Sequence, residues 1–391
     1  MATGENPEKL HIALVRASSR NSGGGFDYEA NLVRLLERIR TELDVIISHW
    51  FLDPELGIRE QHPSRVGVSD RSGRSPAGLI NRVRAKISYG RGQTIEDTLE
   101  HKGVSLVYFA SPNRAALSVK RIPIVTTIWD LGHRDLPHFP EFRGKTWMNR
   151  ENYFRETLTR SHHVFTDSAV TGQKIERLFG VNENRWSPLG LLVSPRSTGA
   201  GPLDEFSSDL GEGYVIYPAK RWPHKNHLAL LEAFRKVVND IPAARLVLTG
   251  DQGGGAQDAI CDRVKLLGLD QNVVDFGYVD EDTLSKLVAN SSAVLMPSKL
   301  GPTNIPPLMA LALGVPAIVS NAHFFEPEVQ RRLEVVNTDT AEEWAEKISA
   351  RLRYRAKQTP FIIDTESSAA LVRGVIQNFD LERKNWPKAF G

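Results

Sequence analysis

The sequence has little of what marks a secreted, membrane-embedded or nucleic-acid-binding protein. Its 391 residues include one cysteine, Cys261, so an internal disulfide is excluded and a reducing compartment is indicated. No apolar run approaches the roughly 20 residues of a membrane-spanning helix, and the polar start MATGENPEKLHIALV does not have the pattern of a signal peptide. The formal net charge of +2 gives no general attraction to nucleic acid. We therefore expect a soluble, cytoplasmic protein.

Short β-rich segments alternate with amphipathic helical segments in both halves of the chain. The first half contains strand-like segments at Leu10–Ala17, Asp44–Phe51, Val104–Ala110, Ile122–Asp130 and His162–Ser168. The second half contains such segments at 213–219, 244–250, 273–279, 292–298 and 315–320. Alternation of this kind predicts parallel sheets that are covered by helices.

One segment interrupts the alternation and divides the chain. Residues 195–210 are rich in glycine, proline and serine and have no periodicity, which predicts a linker. We expect a first α/β domain at 1–200 and a second at 211–375, with a final helix at about 376–391 packing back on the first domain. Open α/β sheets bind ligands beyond the carboxyl ends of their strands. Polar residues at those positions are therefore the candidate site.

Basic residues and a helix start follow two strands of the second half. The segment KRWPHKN carries Lys220, Arg221 and Lys225, and LGPTNIPPLMALALG predicts a loop and a short helix ended by Gly314 in a left-handed cap. The free backbone donors at this helix start are the N–H groups of Thr303, Asn304, Ile305 and Leu308. Lysines and a helix start together suit a phosphate or diphosphate. The alternative is an ordinary connection with surface lysines.

Seven segments carry a resemblance to a known family. The second half contains YPAKRWPHKNHLALLEAF, LVLTGD, VVDFGYVDEDTLSKLVANSSAVLMPS and GPTNIPPLMALALGVPAIVSN, and the first contains SGGGF, TIWDLGHRDLPHFPEF and HHVFTDSAVTGQKIERLFGVNENRWSPLGL. From about Leu10 to about Arg351, these segments resemble retaining GT-B-fold glycosyltransferases of family 4, the glycosyl transferases group 1. The resemblance implies an α/β fold of two Rossmann-like domains facing across a cleft. It also implies retaining transfer of a sugar from a nucleotide-diphosphate donor on the second domain to an acceptor on the first.

The resemblance assigns donor-side roles by position. Lys220 stands where the family usually has an arginine, and Lys225 matches the family lysine, so both would bind the diphosphate. Fixed cations and backbone donors stabilise the leaving group as its charge develops, and they can do so without a metal. The other expected donor-binding residues are Gly250, Tyr278, Val279, Thr303, Asn304, Ile305 and Met309.

The paired glutamates of the family are missing from this chain. They lie eight positions apart and fall on Gly301 and Met309. The GPTN sequence in place of the first glutamate motif resembles a subfamily variant. The second glutamate normally holds the ribose hydroxyls, so Met309→Glu is expected to tighten nucleotide binding.

Two segments each have a functional and a structural interpretation. Gly23, Gly24 and Gly25 follow the first strand and would let the backbone approach an acceptor or a phosphate, with a flexible loop before a helix as an equal alternative. Residues 71–92 contain six basic residues and no acid. A solvated helix packed on the sheet is the first interpretation of 71–92. The second is peripheral contact with anionic lipid on the inner face of the membrane, or with a lipid-linked acceptor.

The segment TIWDLGHRD carries the candidate acceptor-side groups. The common active-site histidine of the family would fall on Trp129. Asp130 and His133 remain on the same segment as candidate catalytic residues that orient the acceptor hydroxyl. For His133 a structural role is an equal alternative.

No metal or other cofactor is expected. The acidic run Asp280–Asp282 imitates a metal-binding pattern, but it precedes TLSKLV and is better explained as the cap of a helix. The sequence contains no clustered cysteines and histidines that suggest zinc.

The function that these features predict is glycosyl transfer. We expect a retaining, metal-independent enzyme that uses a nucleotide sugar and a glycan or lipid-linked acceptor, as in cell-surface polysaccharide synthesis. One alternative, suggested by Gly301 and Met309, is a binding or regulatory protein derived from this fold. Another is a nucleotide-sugar epimerase, which would need acidic and basic carboxylates near the sugar.

Overall fold

A computed structural model of the chain describes residues 9–18, 24–53, 57–61, 94–190, 210, 213–301, 305–361 and 364–390. Gly23, Thr303, Asn304 and the basic segment 71–92 lie outside the described residues, as does the predicted linker except for Leu210. The chain forms two compact units. The first comprises Met1–Asp130, Met148–Leu192 and Asp364–Gly391, and the second comprises Leu131–Trp147 and Val193–Ile363.

The first unit is built on a seven-stranded sheet with the strand order β3-β2-β1-β4-β5-β6-β7. Its strands are β1 (His11–Arg16), β2 (Ile46–Asp53), β3 (Gly57–Gln61), β4 (Leu106–Phe109), β5 (Ile124–Ile128), β6 (His163–Thr166) and β7 (Trp186–Pro188). Neighbouring strands are parallel except β2 and β3, which are antiparallel. The order reverses between β1 and β4.

The second unit is built on a six-stranded, all-parallel sheet with the order β10-β9-β8-β11-β12-β13. Its strands are β8 (Tyr214–Pro218), β9 (Arg245–Thr249), β10 (Val273–Gly277), β11 (Ala293–Met296), β12 (Ala317–Ser320) and β13 (Glu334–Val336). The order reverses between β8 and β11, and ligands of doubly wound sheets bind at such a reversal. Two parallel-sheet α/β units confirm the predicted fold class.

Helices connect the strands of both sheets. In chain order they are α1 (Gly24–Leu43), α2 (Ile95–His101), α3 (Gly132–Asp135), α4 (Lys145–Leu158), α5 (Ala169–Phe179), α6 (His227–Asp240), α7 (Gln257–Leu266), α8 (Glu281–Asn290), α9 (Ile305–Ala312), α10 (Pro327–Gln330), α11 (Ala341–Arg353) and α12 (Thr365–Phe390). In the part of the chain that the structure describes, none of them combines the length and apolar character needed to cross a bilayer.

The last helix contributes to the core of the first unit. Helix α12 begins at Thr365, earlier than the 376 expected from the sequence, and it packs against α1. Its buried side chains in that core are Ala369, Val372, Val375, Ile376 and Phe379. The domain limits therefore follow packing: the structure groups 364–391 with the first unit, where the sequence had placed residues up to 375 in the second.

Two predicted local features of the second unit are confirmed. Gly314 has a φ of +68°, the left-handed conformation expected where α9 ends. The Asp280 carboxylate accepts a hydrogen bond from the Thr283 backbone N–H at 2.8 Å and caps α8. The acidic run Asp280–Asp282 is thus explained by helix capping.

Candidate functional site

The loops that follow β8 and β11 are joined where the strand order of the second sheet reverses. The backbone N–H of Lys299 donates to the His224 carbonyl at 2.8 Å, and the side-chain amide of Asn226 donates to the Pro297 carbonyl at 3.2 Å. The Ser298 hydroxyl also donates to the His224 carbonyl at 3.3 Å. These bonds hold the β8 loop, which carries the predicted lysines, at the edge where such sheets bind ligands.

Lys220 lies directly after β8 and pairs with Asp251 of the next loop. Its ammonium nitrogen is 3.6 Å from the Asp251 carboxylate, and the two side chains are 30% and 45% exposed. Gly250 has a φ of +123°, and a Cβ there would come 2.5 Å from the Ala219 carbonyl oxygen. Gly250 is therefore required for the close approach of the two loops, and Lys220 shares its charge with Asp251.

Lys225 ends a 3₁₀ turn, Pro223–Lys225, and is half-buried. Its carbonyl accepts a hydrogen bond from the Tyr217 hydroxyl at 2.6 Å. Burial, and to a smaller extent the positive charge of Lys225, lowers the pKa of His323 to about 3. The Lys225 ammonium therefore lies within electrostatic range of the loop after β12, which carries His323.

Arg221, which the sequence grouped with these lysines, has a structural role. Its side chain is fully buried and pairs with Asp275 at 2.7 Å. The guanidinium also donates to the carbonyls of Ala219 at 2.7 Å and Thr249 at 3.2 Å. Arg221 thus joins the ends of β8, β9 and β10, and its charge is balanced within the unit.

The residues after β10 offer an exposed ring. Tyr278 is 52% exposed and Val279 is half-buried. An exposed aromatic ring at a sheet edge can stack on a planar group such as a nucleotide base. Because β10 and β8 belong to one all-parallel sheet, the residues that follow them, Tyr278 and Val279 on one side and Lys220 on the other, lie at the same carboxyl edge.

The two positions where the family has glutamates are enclosed. Gly301 forms a parallel bridge with His323, and a Cβ on Gly301 would stand 2.6 Å from the His323 Cα. Met309 is 8% exposed, and Ile305, the first residue of α9, is 5% exposed. Ile305 and Met309 therefore both pack inside the unit.

In the first unit, two of the three predicted loop glycines belong to a helix. Gly24 and Gly25 are the first residues of α1. A Cβ on Gly25 would come 2.9 Å from the indole ring of Trp129 and 3.3 Å from the Ser18 hydroxyl. The packing of Trp129 therefore accounts for Gly25, whereas the sequence had explained it as loop flexibility or ligand contact.

Sequence reasoning missed Glu29, a buried carboxylate of α1. It accepts hydrogen bonds from the backbone N–H groups of Ala17 at 3.2 Å and Ser18 at 3.1 Å, and from the Ser111 hydroxyl at 2.6 Å. Burial raises its pKa, and these hydrogen bonds oppose the rise. Glu29 thus fixes the loops after β1 and β4, where the first sheet reverses. The sequence signal was an acid on the apolar face of α1, three and seven residues before Leu32 and Leu36.

The predicted acceptor-side residues are divided between the units. Asp130 follows β5 in the first unit, where it pairs with Arg150. His133 lies in α3 of the second unit, is fully buried, and has its ring 6.0 Å from that of Trp147. Complete burial favours the structural interpretation of His133 over contact with an acceptor.

Asp167 is a second carboxylate that the sequence did not single out. It follows β6, the neighbour of β5, and burial together with the Asp130 charge raises its pKa to about 7. A hydrogen bond with Thr171 opposes this rise. Among the described residues, no group of three or more histidine, cysteine, aspartate or glutamate side chains is placed to hold a metal ion.

Comparison with known proteins finds a family match in the second half of the chain. Residues 204–382 match the family Glycosyl transferases group 1. An uncharacterized glycosyltransferase of Methanocaldococcus jannaschii, MJ1607, is 38% identical over 110 residues, which cover 28% of this chain and 27% of the relative. The O-antigen chain mannosyltransferase B of Escherichia coli is 25% identical over 202 residues, 50% of this chain and 52% of that protein. The matches thus span about a quarter and about half of these two relatives.

Solved structures extend the likeness of fold to nearly the whole chain. Anabaena Alr3699/HepE, solved in complex with UDP and glucose, has a TM-score of 0.59 at 13% identity and covers 97% of this chain and 100% of its own. The described α/β units therefore have the GT-B fold. The match to the Glycosyl transferases group 1 family covers residues 204–382, and both relatives are glycosyltransferases by name.

Proposed function

We propose that the protein is a retaining, metal-independent glycosyltransferase that moves a sugar from a nucleoside diphosphate to a glycan or lipid-linked acceptor. The observation that carries the proposal is the placement of Lys220 and Lys225 on the β8 loop, at the reversal of an all-parallel sheet. Two ammonium groups at this edge suit a diphosphate, whose negative charge grows as the sugar leaves.

Two features of the relatives support the choice of substrates. Alr3699/HepE was solved with UDP, which supports a nucleoside diphosphate as the ligand of this edge. The name of the E. coli relative specifies mannose transfer to an O-antigen chain, which supports a polysaccharide acceptor. On this chain, Tyr278 would stack on the base while the two lysines bind the diphosphate.

Donor turnover tests the proposal. The protein would be incubated with UDP-glucose and GDP-mannose, with and without oligosaccharide or polyprenyl-phosphate-linked acceptors, and nucleoside diphosphate release would be measured. We expect release with one donor to rise when its acceptor is added, and NMR of the product to show the anomeric configuration of the donor. Binding of nucleoside diphosphates without turnover of any sugar donor would favour the regulatory alternative. Inverted product would exclude the retaining assignment.

A further inference from the structure

One glutamate outside the lysine loop is attached to it. Glu141 lies on the segment Leu131–Trp147, which follows β5 along the chain but belongs to the second unit. A single carboxylate oxygen of Glu141, Oε1, accepts hydrogen bonds from the His224 backbone N–H at 3.0 Å and from the His224 ring nitrogen Nδ1 at 2.7 Å. The Glu141 side chain is 7% exposed and the His224 side chain 11%. The attachment is therefore a buried one.

His224 is the residue immediately before Lys225, and its other contacts fix the same loop. Its carbonyl accepts from the Lys299 backbone N–H, so His224 connects Glu141 on one side to the β11 loop on the other. The ring of Phe142 also lies 5.5 Å from the His224 ring. With the Tyr217 hydroxyl bonded to the Lys225 carbonyl, the backbone on both sides of the Lys225 side chain is held.

The contact between Glu141 and His224 is not the arrangement expected if it served stability alone. The second oxygen of Glu141, Oε2, is buried and accepts no hydrogen bond from any described residue. A buried carboxylate that is only half satisfied costs folding free energy. Native proteins break such rules mainly at functional sites, where geometry matters more than stability.

We propose that Glu141 is a positioning residue for the donor diphosphate: by binding His224 it fixes the turn that presents Lys225. This inference rests on the proposed function, because it takes the ligand of Lys225 to be a diphosphate. Cations that stabilise a leaving group act best when their position is fixed in advance, and a misplacement of about 1 Å can cost about a hundredfold in rate. Glu141 touches neither donor nor acceptor in this scheme and acts through His224.

Titration with UDP, GDP and ADP tests the inference. For the nucleotide that wild type binds, we expect Glu141→Ala to weaken affinity about tenfold. Glu141→Gln keeps an oxygen that can accept from both His224 groups, so we expect its affinity to stay within about threefold of wild type. His224→Ala should weaken binding as Glu141→Ala does, and the double variant should be no weaker than either. Non-additivity is the signature of two residues that act as a unit.

A half-buried, paired carboxylate in the same unit provides the matched control. Glu334 on β13 pairs with Arg351 at 2.5 Å, and its side chain is 21% exposed. Glu334→Ala should lower the denaturation midpoint and leave nucleotide affinity unchanged. If Glu141→Ala does not fold, Glu141→Gln and His224→Ala undergo the same titration.

The outcomes separate this inference from the proposed function. Wild-type affinity in Glu141→Ala, or in His224→Ala where the first variant does not fold, would overturn the positioning role while leaving the proposed function intact. Additive losses in the double variant would overturn it too, because independent residues give additive effects. Failure of the wild-type protein to bind any of the three nucleotides would overturn both.

Discussion

Gly301 lies directly against the backbone of Ala322. A Cβ on Gly301 would stand well under 3 Å from the Ala322 carbonyl oxygen, a distance that real Cβ atoms essentially never show. The loops after β11 and β12 therefore touch backbone to backbone, and the bridge between Gly301 and His323 joins them. The absence of a glutamate at 301 follows from this contact, since the chain has no room there for any side chain.

We expect Gly301→Ala to destabilise the protein. Forcing a methyl group into closely packed backbone costs about 1–3 kcal/mol, so the urea midpoint should fall. Gly374→Ala is the matched control, because a Cβ on Gly374 in α12 meets nothing within 4 Å. That change should be neutral or stabilising by about 0.5–1 kcal/mol. An unchanged midpoint in Gly301→Ala would show that the two loops separate easily.

The burial of Met309 reverses the expected balance for Met309→Glu. The sequence predicted tighter nucleotide binding, but a side chain that is 8% exposed would carry the carboxylate into the packed interior. An unpaired buried carboxylate lowers the free energy of unfolding by several kcal/mol. Charge-assisted hydrogen bonds to ribose hydroxyls would contribute only roughly 1.5–3 kcal/mol of binding free energy. We expect a lower urea midpoint of unfolding for Met309→Glu and little change in that midpoint for Met309→Leu. Normal stability with tighter UDP or GDP binding would restore the original prediction.

We expect Lys225→Ala to lower turnover about a hundredfold, or about 3 kcal/mol of transition-state stabilisation. Lys220→Ala should have a smaller effect, because Lys220 already shares its charge with Asp251. The matched control is Lys236→Ala on α6, a lysine that pairs with the exposed Glu342. Rates measured at saturating donor, with circular dichroism for folding, decide the matter. Equal turnover rates in all three variants would contradict the assignment of diphosphate binding to this loop.

The activity should survive EDTA. The proposed site stabilises the leaving diphosphate with lysines and backbone donors, so chelation leaves the groups that act on it in place. Turnover would be measured before and after exhaustive chelation. Loss of turnover that manganese or magnesium restores would contradict the metal-independent proposal.

Asp167 should make stability depend on pH. Its pKa is raised from about 3.8 to about 7, so between those values the folded state binds more protons than the unfolded state. The free energy of unfolding should therefore fall as pH rises through this window, and the loss should be complete above it.

Asp167→Asn isolates this effect. The denaturation midpoint of Asp167→Asn should exceed that of wild type by more at about pH 8 than at about pH 4, because the amide carries no charge to bury. The pKa of His163 is lowered from 6.5 to about 4, mainly by burial, so the free energy of unfolding contributed by His163 rises with pH between these values. This slope is opposite to that of Asp167. The diagnostic quantity is therefore the difference in midpoint between variant and wild type. A constant difference across the range would show that Asp167 is not the group responsible.

The alternation of segments in the sequence determined the two sheets and most of their elements. The helix predicted to be capped by Asp280–Asp282 agrees with α8, and the predicted strand at 213–219 contains β8. These features depend on local periodicity and capping, which neighbouring residues encode. The short strands β3, β7 and β13 were missed because segments such as GIREQ have too few apolar residues to give a periodic signal.

Only tertiary structure decided which polar residues are free to act. The sequence placed Arg221 beside two lysines, but Asp275, 54 residues away, neutralises it. It explained Gly25 as a loop glycine, whereas Trp129 fills the space beside it. It placed Leu131–Trp147 in the first domain, but that segment lies in the second unit, where Glu141 binds His224 across 83 residues. Burial and pairing depend on contacts between distant segments, and the local pattern of a sequence does not contain them.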